Sequence, residues 1–308
     1  MVAVMNCSHG FPFERVFLIN LTRRRDRLEF MRAQLFTRAG LAPHAARIER
    51  VAAINGEDLR HSSDANPFER LFRAGFLSKL GLCRLRQTSS ARKVWGMDLN
   101  PAAVGCALSH IELWARIIAL SSSFSTSSSS PPRFLVLEDD SLLPEAFLER
   151  YHARIAQIPA GEQNNWELLY LSGLDAASDA VKQKLIIAPG ISRVSQLHRT
   201  TNAYVVTPSG AKKLLERGLP LTFQIDTMIT MNVERDSNPD YREDGGNGNN
   251  NNDHHIHGES ARPLYVQEPR CLSLQPPLIV QATQLGSDIQ PSPPPLRLDL
   301  REDEKDKT

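Results

Sequence analysis

The stretch RFLVLEDD, residues 133–140, decides the fold, because three acids directly follow a short apolar run. These acids are Glu138, Asp139 and Asp140. The apolar run is typical of a strand buried on both faces of a parallel sheet, and unpaired charges at its end resist burial. Ligands of open α/β sheets bind beyond the carboxyl ends of the strands. The stretch therefore predicts an α/β fold with a ligand site at this strand end.

The three acids also indicate which ligand would bind there. Carboxylate oxygens suit Mn²⁺ or Mg²⁺, and such ions are usually shared with the phosphates of a substrate. The alternative is a turn whose acids cap the following helix. From this stretch alone, both interpretations stay open.

A βαβ unit is predicted before this strand. The run RVFLINL at 15–21 indicates a first strand, and a helix with a regular apolar stripe follows it and ends near Gly40. The stretch RIERVAAINGEDL at 47–59 indicates a second strand that ends in a turn at Asn55–Gly56. Strand, helix and strand at this spacing are typical of α/β folds.

Four arginines follow the first strand in the stretch LTRRRDR at 21–27: Arg23, Arg24, Arg25 and Arg27. They stand where the helix begins, and the free backbone N–H groups of a helix N-terminus favour anions. Guanidinium groups bind phosphate in bidentate fashion, which makes a nucleotide diphosphate a natural ligand. The alternative is a solvated basic face of the helix.

A long helix is predicted over 101–120, where apolar side chains recur on one stripe. Within it, the stretch GCALSHIELW at 105–114 places Ser109 and His110 beside that stripe. Gly105 lies about one turn before Ser109, where a small residue lets a ligand or strand approach closely. His110 is either a binding-site residue or a core histidine whose hydrogen bonds are satisfied.

The second half of the chain predicts strands at 166–173 and 202–207, and short strands within 263–281. The strand at 202–207 runs into a helix with Thr207 as its N-cap and Gly218 at its end. The stretch PLTFQID then ends an apolar run in Asp226. We interpret Asp226 as a catalytic base or metal ligand, with capping of the following helix as the alternative.

Composition divides the chain into one domain and several low-complexity segments. We predict a single domain over 14–290, polar inserts at about 121–132 and 236–262, and a disordered tail at 291–308. The DHHIHG run at 253–258 lies in the second insert, and we interpret it as an adventitious metal binder.

The overall composition, 41% hydrophobic and 23% charged in 308 residues, is ordinary for a soluble globular protein. A formal net charge of +1 gives no global field for nucleic acid or an anionic membrane. Four scattered cysteines form no CxxC pair, which argues against a zinc site, and their number argues against a disulfide framework. Without a signal-peptide pattern or a run of about 18 apolar residues, we expect a cytoplasmic protein with no membrane span.

In this order, the stretches resemble glycosyltransferase family 25, which includes bacterial lipopolysaccharide galactosyltransferases and collagen hydroxylysine galactosyltransferases. No single motif carries the likeness. Apart from the two inserts, the spacing between the matching stretches is also that of the family. The matching stretches are VFLINLTRRRDRLEFM, ERVAAINGEDL, GCALSHIELW, FLVLEDDSLL, AYVVTPSGAKKLL, QIDTMI, LYVQEP, PPLIVQ and SDI at 287–289.

The resemblance implies a GT-A-like fold, a Rossmann-related nucleotide-sugar-binding domain with a mostly parallel central sheet and flanking helices. It also implies a UDP-sugar donor, most commonly of galactose, dependence on Mn²⁺ (or Mg²⁺), and inversion at the anomeric carbon. Asp139 and Asp140 are then the predicted metal ligands. The predicted donor-binding residues are Asn20, Arg23, Arg27, Gly56, Ser109, His110 and Glu138.

We therefore predict an inverting glycosyltransferase that moves a hexose from UDP to a hydroxyl group of a glycan or of a hydroxylated protein. A carboxylate must accept the proton of that hydroxyl group, and Asp226 is the predicted base. Two other functions stay open. One is a nucleotide-sugar-binding module without catalysis, and the other is a metal-dependent phosphohydrolase, which also uses carboxylates at strand ends.

Overall fold

The computed structural model describes residues 10–59, 66–87, 97–122, 130–231 and 264–289. The strands are β1 Arg15–Asn20, β2 Ile48–Ala52, β3 Phe134–Glu138, β4 Ser141–Leu142, β5 Leu168–Tyr170, β6 Leu174–Asp175, β7 Ile186–Ala188, β8 Ile191–Arg193, β9 His198–Arg199, β10 Ala203–Val206, β11 Cys271–Leu274 and β12 Val280–Gln281. The α-helices are α1 Arg25–Arg32, α2 Pro67–Arg73, α3 Lys79–Arg86, α4 Pro101–Ser121, α5 Phe147–Ile155, α6 Asp179–Leu185, α7 Pro208–Gly218 and α8 Ile225–Thr230. Residues 123–129 of the first predicted insert, the whole second insert with its DHHIHG run, and the predicted tail lie outside the described residues.

One large sheet organises the described residues, in the strand order β2–β1–β3–β10–β5–β11–β8–β7, which confirms the α/β class. Its pairings are parallel for β1 with β2, β1 with β3 and β5 with β11. The other four are antiparallel, because β10 and β8 run against their neighbours. The sheet is therefore mixed: six of its eight strands run in one direction, as expected of a mostly parallel sheet, but only three of its seven pairings are parallel. Buried apolar runs look alike in interior strands of either direction, so the sequence pattern predicted position without direction.

Alternate residues of the central strands enter two hydrophobic cores on opposite faces of the sheet. In β1, Val16 and Leu18 pack in one core with residues of α1 and α5. Phe17 and Ile19 pack in the other core with residues of α4, α7 and α8. The strand is buried on both faces, which explains its continuous apolar sequence.

Helix α4 is confirmed with a well-formed start. The side chain of Asn100 caps it by accepting the N–H of Ala103, and Pro101 occupies the first turn, where a missing N–H does no harm. Among the described helices, α4 alone has the length and apolar composition of a membrane span. More than half of that apolar stretch is buried inside the fold, and Trp114 is fully buried.

The turn after β2 lies directly against α4. A Cβ atom added to Gly56 would stand 1.6 Å from the carbonyl oxygen of Pro101, and one added to Gly105 would stand 2.4 Å from the nitrogen of Gly56. Ser109 Oγ accepts the N–H of Ile54 at 2.8 Å and donates to the carbonyl oxygen of Gly105 at 2.7 Å. Two glycines and a serine thus allow the turn and the helix to touch.

We predict that Gly56→Ala lowers the free energy of unfolding by about 1–3 kcal/mol or more, because backbone must move to admit the methyl group. Chemical denaturation measures the change. Gly161→Ala is the matched control, since a Cβ atom there meets nothing within 4 Å. Equal stability of the two variants would contradict the close contact between the turn and α4.

Candidate active site

The ends of β1 and β3 lie side by side. Ile19 is in parallel register with Glu138, so Asn20 and Asp139 leave the sheet next to each other. Asn20 Nδ2 donates to Asp139 Oδ2 at 2.7 Å, and Asn20 Oδ1 accepts from Arg50 Nε at 2.9 Å. Strand register thus places a polar pair at the carboxyl edge of the sheet, where the sequence predicted a ligand site.

Asp139 forms a buried ion pair with the first turn of α1. Arg27 Nη1 donates to Asp139 Oδ1 at 2.7 Å, and the two side chains are only 6% and 8% exposed. The same nitrogen lies 3.9 Å from Asp140 Oδ2. Burial raises the pKa of Asp139 despite the opposing effects of Arg27 and Asn20. Because removing one partner would leave a buried charge, Arg27 is part of the fold as well as of the site.

Asp140 is held by amide groups. Asn202 Nδ2 donates to Asp140 Oδ1, and Gln281 Nε2 donates to Asp140 Oδ2 at 2.9 Å. Burial and repulsion from Glu138 nevertheless raise the pKa of Asp140 to about 6. The Oδ1 atom of Asn202 is buried and has no hydrogen-bond partner among the described residues. Crowded carboxylates beside an unsatisfied amide oxygen form a set of hard donors that fits Mn²⁺ or Mg²⁺.

Glu138 ends a chain of buried hydrogen bonds. Its Oε1 accepts from Thr201 Oγ1 at 2.7 Å and lies 3.2 Å from His110 Nε2. His110 Nδ1 lies 2.9 Å from the hydroxyl group of Tyr204, which accepts from Trp114 Nε1 at 2.8 Å. Every group is satisfied if Tyr204 donates to Nδ1 and His110 donates from Nε2 to Glu138. His110 is therefore a satisfied core residue that touches the acidic site, and its role in donor binding stays a prediction.

The pKa of Glu138 shifts in the opposite direction from those of Asp139 and Asp140. Burial alone would raise its pKa, but the hydrogen bond and charge of His110, with the bond from Thr201, outweigh burial and lower the pKa. Its side chain is 20% exposed, more than those of Asp139 and Asp140. Among the three acids, Glu138 therefore has the lowered pKa and the most exposed side chain.

A strained loop before β10 joins Asp226 to the acids. Thr200 has a φ of 81°, a rare conformation for a β-branched residue, and its N–H donates to Asp226 Oδ2 at 3.2 Å. Asp226 also accepts the N–H of Thr227 at 2.7 Å in the first turn of α8. The next loop residues are Thr201 and Asn202, which contact Glu138 and Asp140. Asp226 thus lies close to the acids, and burial raises its pKa.

The predicted site residues separate into three groups. Hydrogen bonds join Asn20 and Arg27 to Asp139 and His110 to Glu138, and Arg27 also lies 3.9 Å from Asp140. Asp226 adjoins these residues through Thr200. Arg23 lies at the rim, half exposed, with its Nη2 2.8 Å from Asp288 Oδ1. Gly56 and Ser109 contribute to the packing of α4, and their role in donor binding stays a prediction.

Four residues of the site were not predicted from the sequence: Thr201, Asn202, Gln281 and Asp288. The signal for Thr201 and Asn202 was present in RTTN, a polar run beside a buried strand. Ligand residues are expected where parallel strands end, but β10 is antiparallel to β3, so the beginning of β10 lies at the carboxyl edge of β3. Strand direction was the missing information.

The family described as glycosyltransferase family 25 (LPS biosynthesis protein) matches residues 13–229. This chain belongs to glycosyltransferase family 25.

Some relatives are named as galactosyltransferases, and others are named as inactive members of the family. Procollagen galactosyltransferase 1 of Danio rerio is 28% identical over 219 residues, which are 68% of this chain and 29% of the relative. The inactive glycosyltransferase 25 family member 3 of Homo sapiens is 27% identical over 231 residues, 75% of this chain and 33% of the relative. Procollagen galactosyltransferase 2 of Homo sapiens is 25% identical over 208 residues, which are 66% of this chain and 27% of the relative. The chain thus spans about a third or less of the length of these relatives.

We predict that Asp140→Asn stabilises the metal-free protein at pH 7. The pKa of Asp140 rises from 3.8 to about 6 in the folded state, so its ionisation opposes folding increasingly as the pH rises through this window. The expected gain is about 1–3 kcal/mol at pH 7 and close to zero near pH 4.

Chemical denaturation with a chelator present, at both pH values, measures this difference. Glu145→Gln is the control, since this acid is 75% exposed. Unchanged or lower stability of Asp140→Asn at pH 7 would contradict the electrostatic interpretation.

Proposed function

We propose that this chain transfers a hexose, preferably galactose, from a UDP-sugar to a hydroxyl group of a glycan or of a hydroxylated protein. The proposal includes a GT-A-like site and inversion at the anomeric carbon. The observation that carries it is the meeting of Glu138, Asp139 and Asp140 with Arg27 at the carboxyl edge of the sheet. Family membership and the names of the galactosyltransferase relatives support it.

The donor diphosphate would bind between the acids and the arginines of α1. Asp140 and Asp139, with Asn202 Oδ1 beside them, would hold Mn²⁺ or Mg²⁺, which when bound neutralises charge on the departing diphosphate. Arg27 is fixed by Asp139 and directs positive charge to the same place, which needs no rearrangement during reaction. Arg23 at the rim would exchange Asp288 for a phosphate oxygen.

Asp226 is the proposed base that accepts the proton of the acceptor hydroxyl group. A general base works best when its pKa approaches the working pH, and burial raises the pKa of Asp226 in that direction. The bond from Thr200 fixes one carboxylate oxygen. The loop from Thr200 to Asn202 therefore sets the position of the base relative to the acids.

A second candidate function is nucleotide-sugar binding without transfer. Two observations favour it: the charges of Arg23 and Arg27 are already paired within the chain, and one of the relatives is named inactive. A metal-dependent phosphohydrolase is a third reading of the same acids. The three functions differ in what is turned over, so one donor assay separates them.

We expect hydrolysis of one UDP-sugar, with no acceptor present, when UDP-sugars are screened with Mn²⁺. Asp140→Asn should abolish turnover. Asp226→Asn should slow it by about 100-fold or more while UDP binding is kept, because only proton transfer is removed. Asp179→Asn, an exposed acid on α6, is the control that should leave the rate unchanged.

Each other outcome of the screen has a defined meaning. Near-normal turnover of Asp226→Asn beside an inactive Asp140→Asn would exclude Asp226 as the base. UDP binding without turnover of any donor would favour the binding module. Release of phosphate from simple esters would favour the phosphohydrolase.

We further predict that Arg23→Ala weakens UDP binding in the presence of Mn²⁺ by about tenfold, the loss of one charge-assisted hydrogen bond. Arg25→Ala removes the same charge from an exposed neighbour and should change the affinity by less than about twofold. Calorimetric titration at fixed ionic strength compares the two. Equal losses would show that only net charge matters and would contradict a specific role of Arg23.

A further inference from the structure

A cysteine faces the acidic site from α4. Cys106 and His110 are four residues apart and share one side of the helix. Cys106 Sγ, a ring nitrogen of His110 and a carboxylate oxygen of Glu138 all lie within 4.8 Å of one another. Three different metal-binding groups, from a helix and from a distant strand end, thus converge on one point.

This set of ligands differs in kind from the oxygen atoms of Asp139 and Asp140. Thiolate and imidazole favour soft or borderline cations such as Zn²⁺ over Mg²⁺ or Mn²⁺, and three protein ligands leave a fourth position open. His110 Nε2 and Glu138 Oε1 are 3.2 Å apart. That distance is close to the edge of about 3.3 Å expected of a tetrahedron with Zn–N and Zn–O bonds of about 2.0–2.1 Å. Cys106 Sγ, which lies within 4.8 Å of both other ligand atoms, would have to move closer to them to complete the triangle.

The surroundings of His110 fit a metal ligand. Metal-binding histidines usually hold their second ring nitrogen in a hydrogen bond that fixes the ring. His110 Nδ1 has such a partner in the hydroxyl group of Tyr204, which Trp114 holds in turn. A hydroxyl group can donate or accept a hydrogen bond. Tyr204 can therefore accept a hydrogen bond from the Nδ1–H of His110 when Nε2 gives up its proton to bind a cation. Thr201 fixes the carboxylate of Glu138 in the same manner.

The local charge also favours a cation. Burial and the negative charges of the nearby carboxylates raise the pKa of Cys106, which shows that its thiol lies among anionic groups. The contributing carboxylates are Glu138, Asp226, Asp140 and Asp139. Glu138 is the most exposed of the three consecutive acids, and Cys106 is half-buried.

We propose that Cys106, His110 and Glu138 form a binding site for a soft divalent cation such as Zn²⁺, distinct from the oxygen site of Asp139 and Asp140. The cysteine spacing argued against zinc because only paired cysteines were considered, whereas here the fold supplies the other ligands. Occupancy engages Glu138, so a soft cation inhibits sugar transfer. That inhibition rests on the proposed function, but binding does not.

The test is a titration of the full chain with Co²⁺ under reducing conditions, without a polyhistidine tag. His254, His255 and His257 are replaced by alanine in every sample, so that the DHHIHG run, which we interpret as an adventitious metal binder, does not contribute to the signal. We expect one equivalent of Co²⁺ to give thiolate charge-transfer absorption in the near ultraviolet and intense visible bands of a tetrahedral ion. Added Zn²⁺ should abolish both.

Variants identify the ligands. Cys106→Ser should lose the charge-transfer band, whereas Cys83→Ser on α3 should keep it. Tyr204→Phe should keep the band at saturation but bind about 10–100-fold more weakly, as expected for loss of the group that orients His110. A band that persists in Cys106→Ser, disappears in Cys83→Ser, or never forms overturns the proposal.

A second measurement uses only the parent protein, so its result does not depend on whether a variant folds. Zn²⁺ should slow alkylation of Cys106 in the parent protein, followed by mass spectrometry, and leave alkylation of Cys83 unchanged. Equal effects on both thiols overturn the proposal. Binding of UDP with Mn²⁺ is measured separately, so its failure beside an intact Co²⁺ band contradicts only the proposed transferase. A missing Co²⁺ band beside normal UDP binding contradicts only the soft-metal site.

Discussion

The burial of three adjacent carboxylates at the end of β3 is the constraint on which the rest of the site depends. Uncompensated charges at this depth would cost several kcal/mol each, so every nearby segment supplies a partner. The partners are Arg27 for Asp139, Asn202 for Asp140 and His110 for Glu138. Compensation is incomplete, because the pKa values of Asp139 and Asp140 stay raised. Buried acids with shifted pKa values of this kind are typical of functional sites.

The reversed strand β10 is what completes the site. In a purely parallel sheet, the loop before a strand would lie at the opposite edge from the acids. Because β10 runs antiparallel to β3, the loop from Thr200 to Asn202 meets the end of β3 instead. The positive φ of Thr200 is a strained conformation. The hydrogen bond from its backbone N–H to Asp226 helps to hold that conformation. A local distortion is thereby coupled to the position of the predicted base.

Much of this arrangement was accessible from sequence, and the rest failed for identifiable reasons. Apolar runs located β1 and β3, and capping residues located α7 correctly. Composition could not separate Arg27, which is buried, from Arg25, which is exposed. Helix phase could have done so, because Arg27 lies four residues before the buried Met31. Partners that come from distant segments, such as Gln281, follow only from strand order and direction, which periodicity does not contain.

Glu138 lies between the two proposed metal sites. On one side are the oxygen donors of Asp139 and Asp140, and on the other are Cys106 and His110. The pKa of Glu138 is lowered, mainly by His110 and Thr201, whereas the pKa values of the two aspartates are raised by burial. The proposed soft-cation site and the predicted donor site therefore share Glu138, whereas the proposed hard-cation site uses the two aspartates. Under these proposals, the state of Glu138 would depend on the soft cations available as much as on the sugar donor.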